Sequence, residues 1–231
     1  MSVAGVPGFT APGPVARQLG IFRDEFAFDN HIHVEVWDWE VFHAFHGEPW
    51  FFLLSGGGRY GYLSQGYRAF RFNNGFVRSG TTRTSLLGDT DVVGSGRTFP
   101  GLGPTAALEV RRLIDDTPVS LYGIARGSVL FGRERTRSFQ RTTLLQQTTT
   151  GTAAPRTVSS DVGLQGGSSE NETIPMGDFE VGVDWRTQYG RMRVFTRAGV
   201  MNRSWFGAGS ATSDRGDLGF FGFRFTVGVS Y

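Results

Sequence analysis

The chain has no cysteine among its 231 residues. A disulfide framework and thiolate metal sites are therefore excluded. Lysine is also absent, so all 23 basic residues are arginine, and coding bias is the simplest explanation. No run of 18 or more apolar residues exists, which excludes a transmembrane helix but not a strand-built membrane domain, whose strands need only about 9–11 residues each. The mean hydropathy of −0.20 is uninformative for the same reason. The start, M-S-V-A-G-V-P-G-F-T, has no charged segment followed by an apolar one, so no secretory signal is read there. Net charge is only +2, so no nucleic-acid surface and no nucleic-acid partner are expected.

What the chain does have is glycine, 34 residues, and phenylalanine, 21. The most informative stretch is the last fifteen residues, D-L-G-F-F-G-F-R-F-T-V-G-V-S-Y. Phe221, Phe223, Phe225, Val227, Val229 and Tyr231 occupy one parity, and Phe220, Gly222, Arg224, Thr226, Gly228 and Ser230 the other. An uninterrupted run of large apolar side chains on one face, with mostly small or polar ones on the other, predicts a β-strand. A soluble barrel or sandwich would turn the bulky set inward, whereas a membrane barrel turns it outward to lipid and keeps small, polar residues in the lumen. The final aromatic, in phase with the apolar set, favours the membrane arrangement. It has the form of the terminal signal that barrel-assembly machinery reads.

Six further alternating segments precede it. Residues 1–25, rich in Gly, Pro and Ala, are expected to form a loop or disordered arm, and 26–231 the barrel domain. In F-A-F-D-N-H-I-H-V-E-V-W-D-W-E-V-F-H-A-F the apolar parity changes near Val36, which predicts a bulge or a strand passing between environments. Gly56, Gly57 and Gly58 predict a bend or a close backbone approach. The polar stretches 68–97, 132–175 and 207–216 read as loops, the Thr/Ser/Gln-rich 132–175 as a mobile one. Short turns are expected at His46–Pro49, Asp115–Pro118 and Tyr189–Arg191. Short and long connections therefore alternate, as periplasmic turns and extracellular loops do in outer-membrane barrels. An even strand number requires one strand before the seven visible, so the chain is expected to begin within the first outer loop.

The fold class expected is thus all-β: an antiparallel up-and-down transmembrane β-barrel of about eight strands, in the bacterial outer membrane. Outer-membrane lipid and the assembly machinery would be its partners. The polar parity would place Glu40, Arg59, Glu109, Arg111, Arg126, Asp178, Glu180, Asp184, Arg186, Arg193 and Arg197 in the lumen. Such charges either set the selectivity of a channel or pair into a plug, and a barrel this narrow favours the plug. A soluble all-β binding module is the alternative.

No catalytic site, cofactor or metal is expected. The histidines at 31, 33, 43 and 46 are too spread along a strand to share one ion, His33 and His43 being about 33 Å apart at about 3.3 Å per residue. A two-His surface site at His31 and His33 is less expected than polar residues at a strand end. An outer-membrane hydrolase would need an imidazole base and a nucleophile at one rim, and no G-x-S-x-G occurs.

L-S-G-G-G-R-Y-G-Y-L-S-Q-G-Y (54–67), F-P-G-L-G-P-T-A-A-L-E-V-R-R (99–112) and S-L-Y-G-I-A-R-G-S-V-L-F-G (120–132) resemble segments of the Legionella-type pore-forming outer-membrane proteins, a family also expanded in planctomycetes. V-G-V-D-W-R and the W-F-G-A-G segment to the terminal Tyr resemble that family's C-terminal hairpin. The resemblance covers most of residues 31–231 and implies a porin-like outer-membrane β-barrel.

Overall fold

The computed structural model describes residues 20–79, 82–114, 117–190, 192–213 and 216–230. Among them are seven strands: β1 (Gly20–Gly47), β2 (Trp50–Ser79), β3 (Thr82–Leu113), β4 (Val119–Thr150), β5 (Arg156–Tyr189), β6 (Met192–Trp205) and β7 (Leu218–Ser230). They form one antiparallel up-and-down sheet in sequence order, with β1 and β7 as its edges. The register is continuous where β5 meets β6, from Met176 opposite Trp205 to Tyr189 opposite Met192. Between β6 and β7 it runs from Arg193 opposite Ser230 to Trp205 opposite Leu218.

The chain divides into two compact units, both built from strands. The first comprises residues 1–28, 69–93 and 140–164. Its described part is threonine-rich, with Phe26, Phe28, Val162 and Leu164 exposed among the polar side chains. Thr82 Oγ1 donates to Thr150 Oγ1 at 3.4 Å, the hydroxyls of Thr84 and Thr148 are 3.5 Å apart, and Thr142 Oγ1 donates to Asp91 at 2.7 Å. Arg141 grips Asp161 through Nε at 3.0 Å and through a second nitrogen, and this guanidinium holds the Asp161 carboxyl below its usual range.

The second unit comprises residues 29–68, 94–139 and 165–231. Its sheet is strongly curled. Leu63 (β2), Phe99 (β3), Leu130 (β4), Ile174 and Met176 (β5) and Trp205 (β6) form one buried cluster with Ala208. Val34 and Val36 of β1 and Leu218 and Phe220 of β7 pack against it. In a flat sheet the two edge strands would stand about 29 Å apart, six spacings of about 4.8 Å. All seven strands reach one cluster only because the sheet wraps around it, as a barrel sheet does. Gly61 permits this packing: a Cβ there would lie 2.6 Å from Leu130 Cδ1 and 2.8 Å from Trp205 Cη2.

Three expectations are corrected. The segments read as loops at 68–97 and 132–175 are mostly strand, since β2 to β5 run through them with connections only at 80–81 and 151–155. Periodicity missed them because threonine, serine, glutamine and glycine interrupt their apolar positions, while their threonines favour extended backbone. The arm does not extend to residue 25: β1 begins at Gly20, and residues 1–19 lie outside those described. The triple glycine runs within uninterrupted β2, and the close backbone approach expected there is present: a Cβ on Gly57 would lie 1.9 Å from the Trp39 carbonyl oxygen of β1. No bulge occurs at Val36 either. Val34, Val36, Asp38 and Glu40 share the inner face, while Trp37, Trp39 and Val41 are exposed on the other. What changes along β1 is the lining of the interior, from apolar to charged.

Backbone amides of Thr142–Gln147 should therefore exchange with deuterium at least about tenfold more slowly than those of Gly151 and Thr152, a contrast that ladder bonding produces and a loop does not. Uniformly fast exchange through 140–150 would restore the loop assignment.

Candidate functional site

The concave face of the second unit holds, beside its apolar cluster, two chains of ion pairs. The first centres on Arg59, whose side chain is 0% exposed. Its Nε meets Asp38 at 2.6 Å and one terminal nitrogen meets Asp178 at 2.7 Å. Asp178 also accepts two bonds from Arg203, at 2.9 and 3.2 Å. Asp38 accepts from Arg126 at 3.2 Å, and Arg126 reaches Glu40 at 3.0 Å. Ser55 Oγ completes the chain by donating to Glu40 at 2.9 Å. The three guanidiniums of Arg59, Arg126 and Arg203 thus balance the three carboxylates of Asp38, Glu40 and Asp178. These pairs join β2 to β5 and β1 to β4, strands that are not neighbours in the sheet. They are spokes across the interior.

The second chain lies nearer the β5–β6 turn. Asp184, also 0% exposed, faces Arg186 at 2.7 Å, Arg111 at 3.3 Å and Arg197 at 3.8 Å. Glu109 pairs with Arg111 and, at 2.9 Å, with Arg197. Glu180 accepts from Tyr122 at 2.7 Å and from Arg224 at 3.1 Å. The Arg197 guanidinium sits 4.3 Å from the Tyr122 ring centre, a cation–π contact. A cavity of about 640 Å3 opens beside this chain, lined by Arg111, Arg186, Gln188, Phe195, Arg197, Arg224 and Thr226 among others.

At the other side of the apolar cluster the β6–β7 connection turns inward. Gly207 and Gly209 have φ of 71° and 60°, the left-handed region in which glycine is unstrained. Ala208 is buried between them. Gln65 donates to the Gly209 carbonyl at 3.4 Å, Ser95 to that of Ala211, and Arg97 to that of Ser213 at 3.3 Å. Arg97 also pairs with Glu134. This connection was expected as a loop, which it is. Its inward seat and the inner-face pair Arg97–Glu134 were not anticipated; the only sequence signal was their parity with Phe99 and Leu130.

Of the residues predicted for the interior, Glu40, Arg59, Glu109, Arg111, Arg126, Asp178, Glu180, Asp184, Arg186 and Arg197 lie on this face in the pairs described. The side chain of Arg193 lies outside the described residues. Asp38, Arg203 and Arg224 join the network in addition. Phe221, Phe223, Phe225, Val227 and Val229 are exposed on the opposite face, and Tyr231 lies outside the described residues. Among the histidines, His33 Nε2 is 2.9 Å from Glu35 with both side chains exposed, and no cluster of three or more metal-ligating side chains occurs among the described residues.

No family model and no curated protein matches the chain. Among solved structures, the translocator domain of autotransporter NalP from Neisseria meningitidis aligns over 93% of this chain and 77% of that one, at 10% identity and a TM-score of 0.17. A likeness of that degree carries no argument.

Replacing Arg59 with alanine should leave Asp38 and Asp178 short of their shared counter-charge and cost about 3–5 kcal/mol, the range for breaking a buried ion pair. Arg141→Ala, at an exposed pair, should cost less than about 1 kcal/mol. Urea titration followed by tryptophan fluorescence compares the two. Equal midpoints would show that the spokes hold nothing together.

Proposed function

We propose that this chain is a bacterial outer-membrane β-barrel protein, porin-like by resemblance to the Legionella-type family, whose interior is filled rather than open. Its role is structural or that of a narrow pore, not enzymatic. One observation carries the reading: the polarity of the second unit is inverted. Arg59 and Asp184 are fully buried while Phe223 is 85% exposed. Water offers no reason to expose that belt, and soluble monomers rarely carry apolar patches beyond a few hundred Å2. Hydrocarbon does.

The dimensions support it. On β3 the outward residues Pro100, Leu102, Pro104, Ala106, Leu108 and Val110 are uninterrupted by charge, with Thr98 and Arg112 at the ends. Ten residue steps at about 3.3 Å, tilted by about 40°, span about 25 Å, the height of the apolar band in such barrels. Exposed Phe45, Trp50, Phe52 and Trp185 cluster near the short turns, as an interfacial aromatic girdle would. Arg112 lies over the Trp50 ring at 5.5 Å, its charge directed toward the boundary. On this reading the connections at 80–81 and 151–155 lie outside the cell, those at 48–49, 114–118 and 190–191 face the periplasm, and β7 is the strand read by the assembly machinery.

Arginine at Val227 should then impair assembly by about 2–4 kcal/mol near the midplane, and at Thr226 by clearly less. Heat-modifiable gel mobility scores both, and equal tolerance would sink the assignment. An epitope inserted after Thr152 should bind antibody on intact cells, and one after Gly190 only once the outer membrane is breached; reversed accessibility would overturn the topology. In planar bilayers the wild-type protein should show little or no conductance, since about eight strands leave an interior that side chains fill. A large, stable open state would favour a true porin.

A further inference from the structure

The cavity beside Asp184 differs from the rest of the interior in one respect. In the Arg59 chain every guanidinium is matched by a carboxylate. Around the cavity, the four guanidiniums of Arg111, Arg186, Arg197 and Arg224 face the three carboxylates of Glu109, Glu180 and Asp184 among the described side chains. The excess is unevenly held. Arg111 and Arg197 are enclosed and each touches both Glu109 and Asp184. Arg186 and Arg224 are 54% and 52% exposed and reach one carboxylate each. Those carboxylates have other partners: Asp184 has Arg111 and Arg197, and Glu180 has the Tyr122 hydroxyl. Arg186 and Arg224 therefore keep donor N–H groups turned to the cavity. Gln188 and Thr226 line it with further polar groups, and the Phe195 ring, packed onto Gly228, gives it an apolar wall.

We infer that this cavity is a binding site for a phosphate group, with Arg186 and Arg224 as its two principal donors. The volume, about 640 Å3, is that of a small-molecule site and far exceeds one ion, so the phosphate is the anchor of a larger molecule or is accompanied by water. Planar guanidiniums match tetrahedral oxyanions through paired N–H bonds, and a net positive, partly enclosed wall strengthens the attraction over that in bulk water. A soluble phosphate compound and a phospholipid headgroup present the same chemistry here. The inference rests on the cavity and not on the membrane reading, and phosphate binding tests the first without the second.

The test uses the full chain folded in dodecyl maltoside micelles, whose headgroup has no phosphate. Titration calorimetry with sodium phosphate, against sodium chloride at matched ionic strength, should give saturable heat for phosphate alone. A second arm adds phosphatidylglycerol to the same micelles. Response to free phosphate identifies a soluble ligand, and response to the lipid alone identifies a headgroup; either supports the site. R186Q/R224Q should abolish the response, whereas R135Q/R141Q, an equal charge change elsewhere, should leave it intact. If the first double variant fails to fold, R186K/R224K keeps the charge while losing the fork geometry and should weaken binding about tenfold. No saturable response in either arm, or responses unchanged by the cavity substitutions, would overturn the proposal.

Discussion

The structure depends on the burial of arginine. A guanidinium cannot be neutralised by losing its proton, so one that is taken out of water must be met by carboxylates with hydrogen bonds in place. Arg59 is met from two sides, by Asp38 on the adjoining strand and by Asp178 three strands away. That second contact is possible only if the sheet curls, and the curl in turn turns Phe221, Phe223 and Phe225 outward. Interior charge and exterior apolar belt are consequences of one another. Neither makes sense in a sheet that packs its large side chains on itself.

The interior is layered. The β6–β7 connection and Arg97 lie on one side of the apolar cluster, the Arg59 chain on the other, and the Asp184 chain with its cavity nearest the β5–β6 turn. Each layer draws on strands that are not neighbours. Arg126 of β4 with Glu40 of β1, and Arg197 of β6 with Glu109 of β3, act as cross-braces.

Much of this was legible in the sequence, because parity is a local property. Alternation sorts the charged set from Arg59 to Arg197 onto one face and the apolar set of the last strand onto the other, and the terminal aromatic in phase with the apolar set indicates which face is outward. Which charges pair did not follow, since Arg59 and Asp178 are 119 residues apart and the pairing is a product of curvature. The strands through 132–175 were hidden for another reason. Thr142, Thr148 and Thr150 bond within a ribbon whose few apolar residues, such as Leu145, Val158 and Val162, are set among threonines and serines, so the alternation that reveals a half-buried strand is broken. The inward turn after Trp205 was hidden because Gly207 and Gly209 mark a turn without marking its direction.

The five tryptophans separate the two faces and so test the inverted packing most directly. Trp37, Trp39 and Trp185 are exposed on the apolar belt, whereas Trp205 is fully enclosed in the interior cluster. Variants retaining one tryptophan each, reconstituted into bilayers containing brominated phosphatidylcholine, report contact with acyl chains by fluorescence quenching. Strong quenching at positions 37, 39 and 185, with little at 205, is the result the packing requires. Quenching of Trp205 equal to that of Trp39, or no quenching at any position, would contradict it.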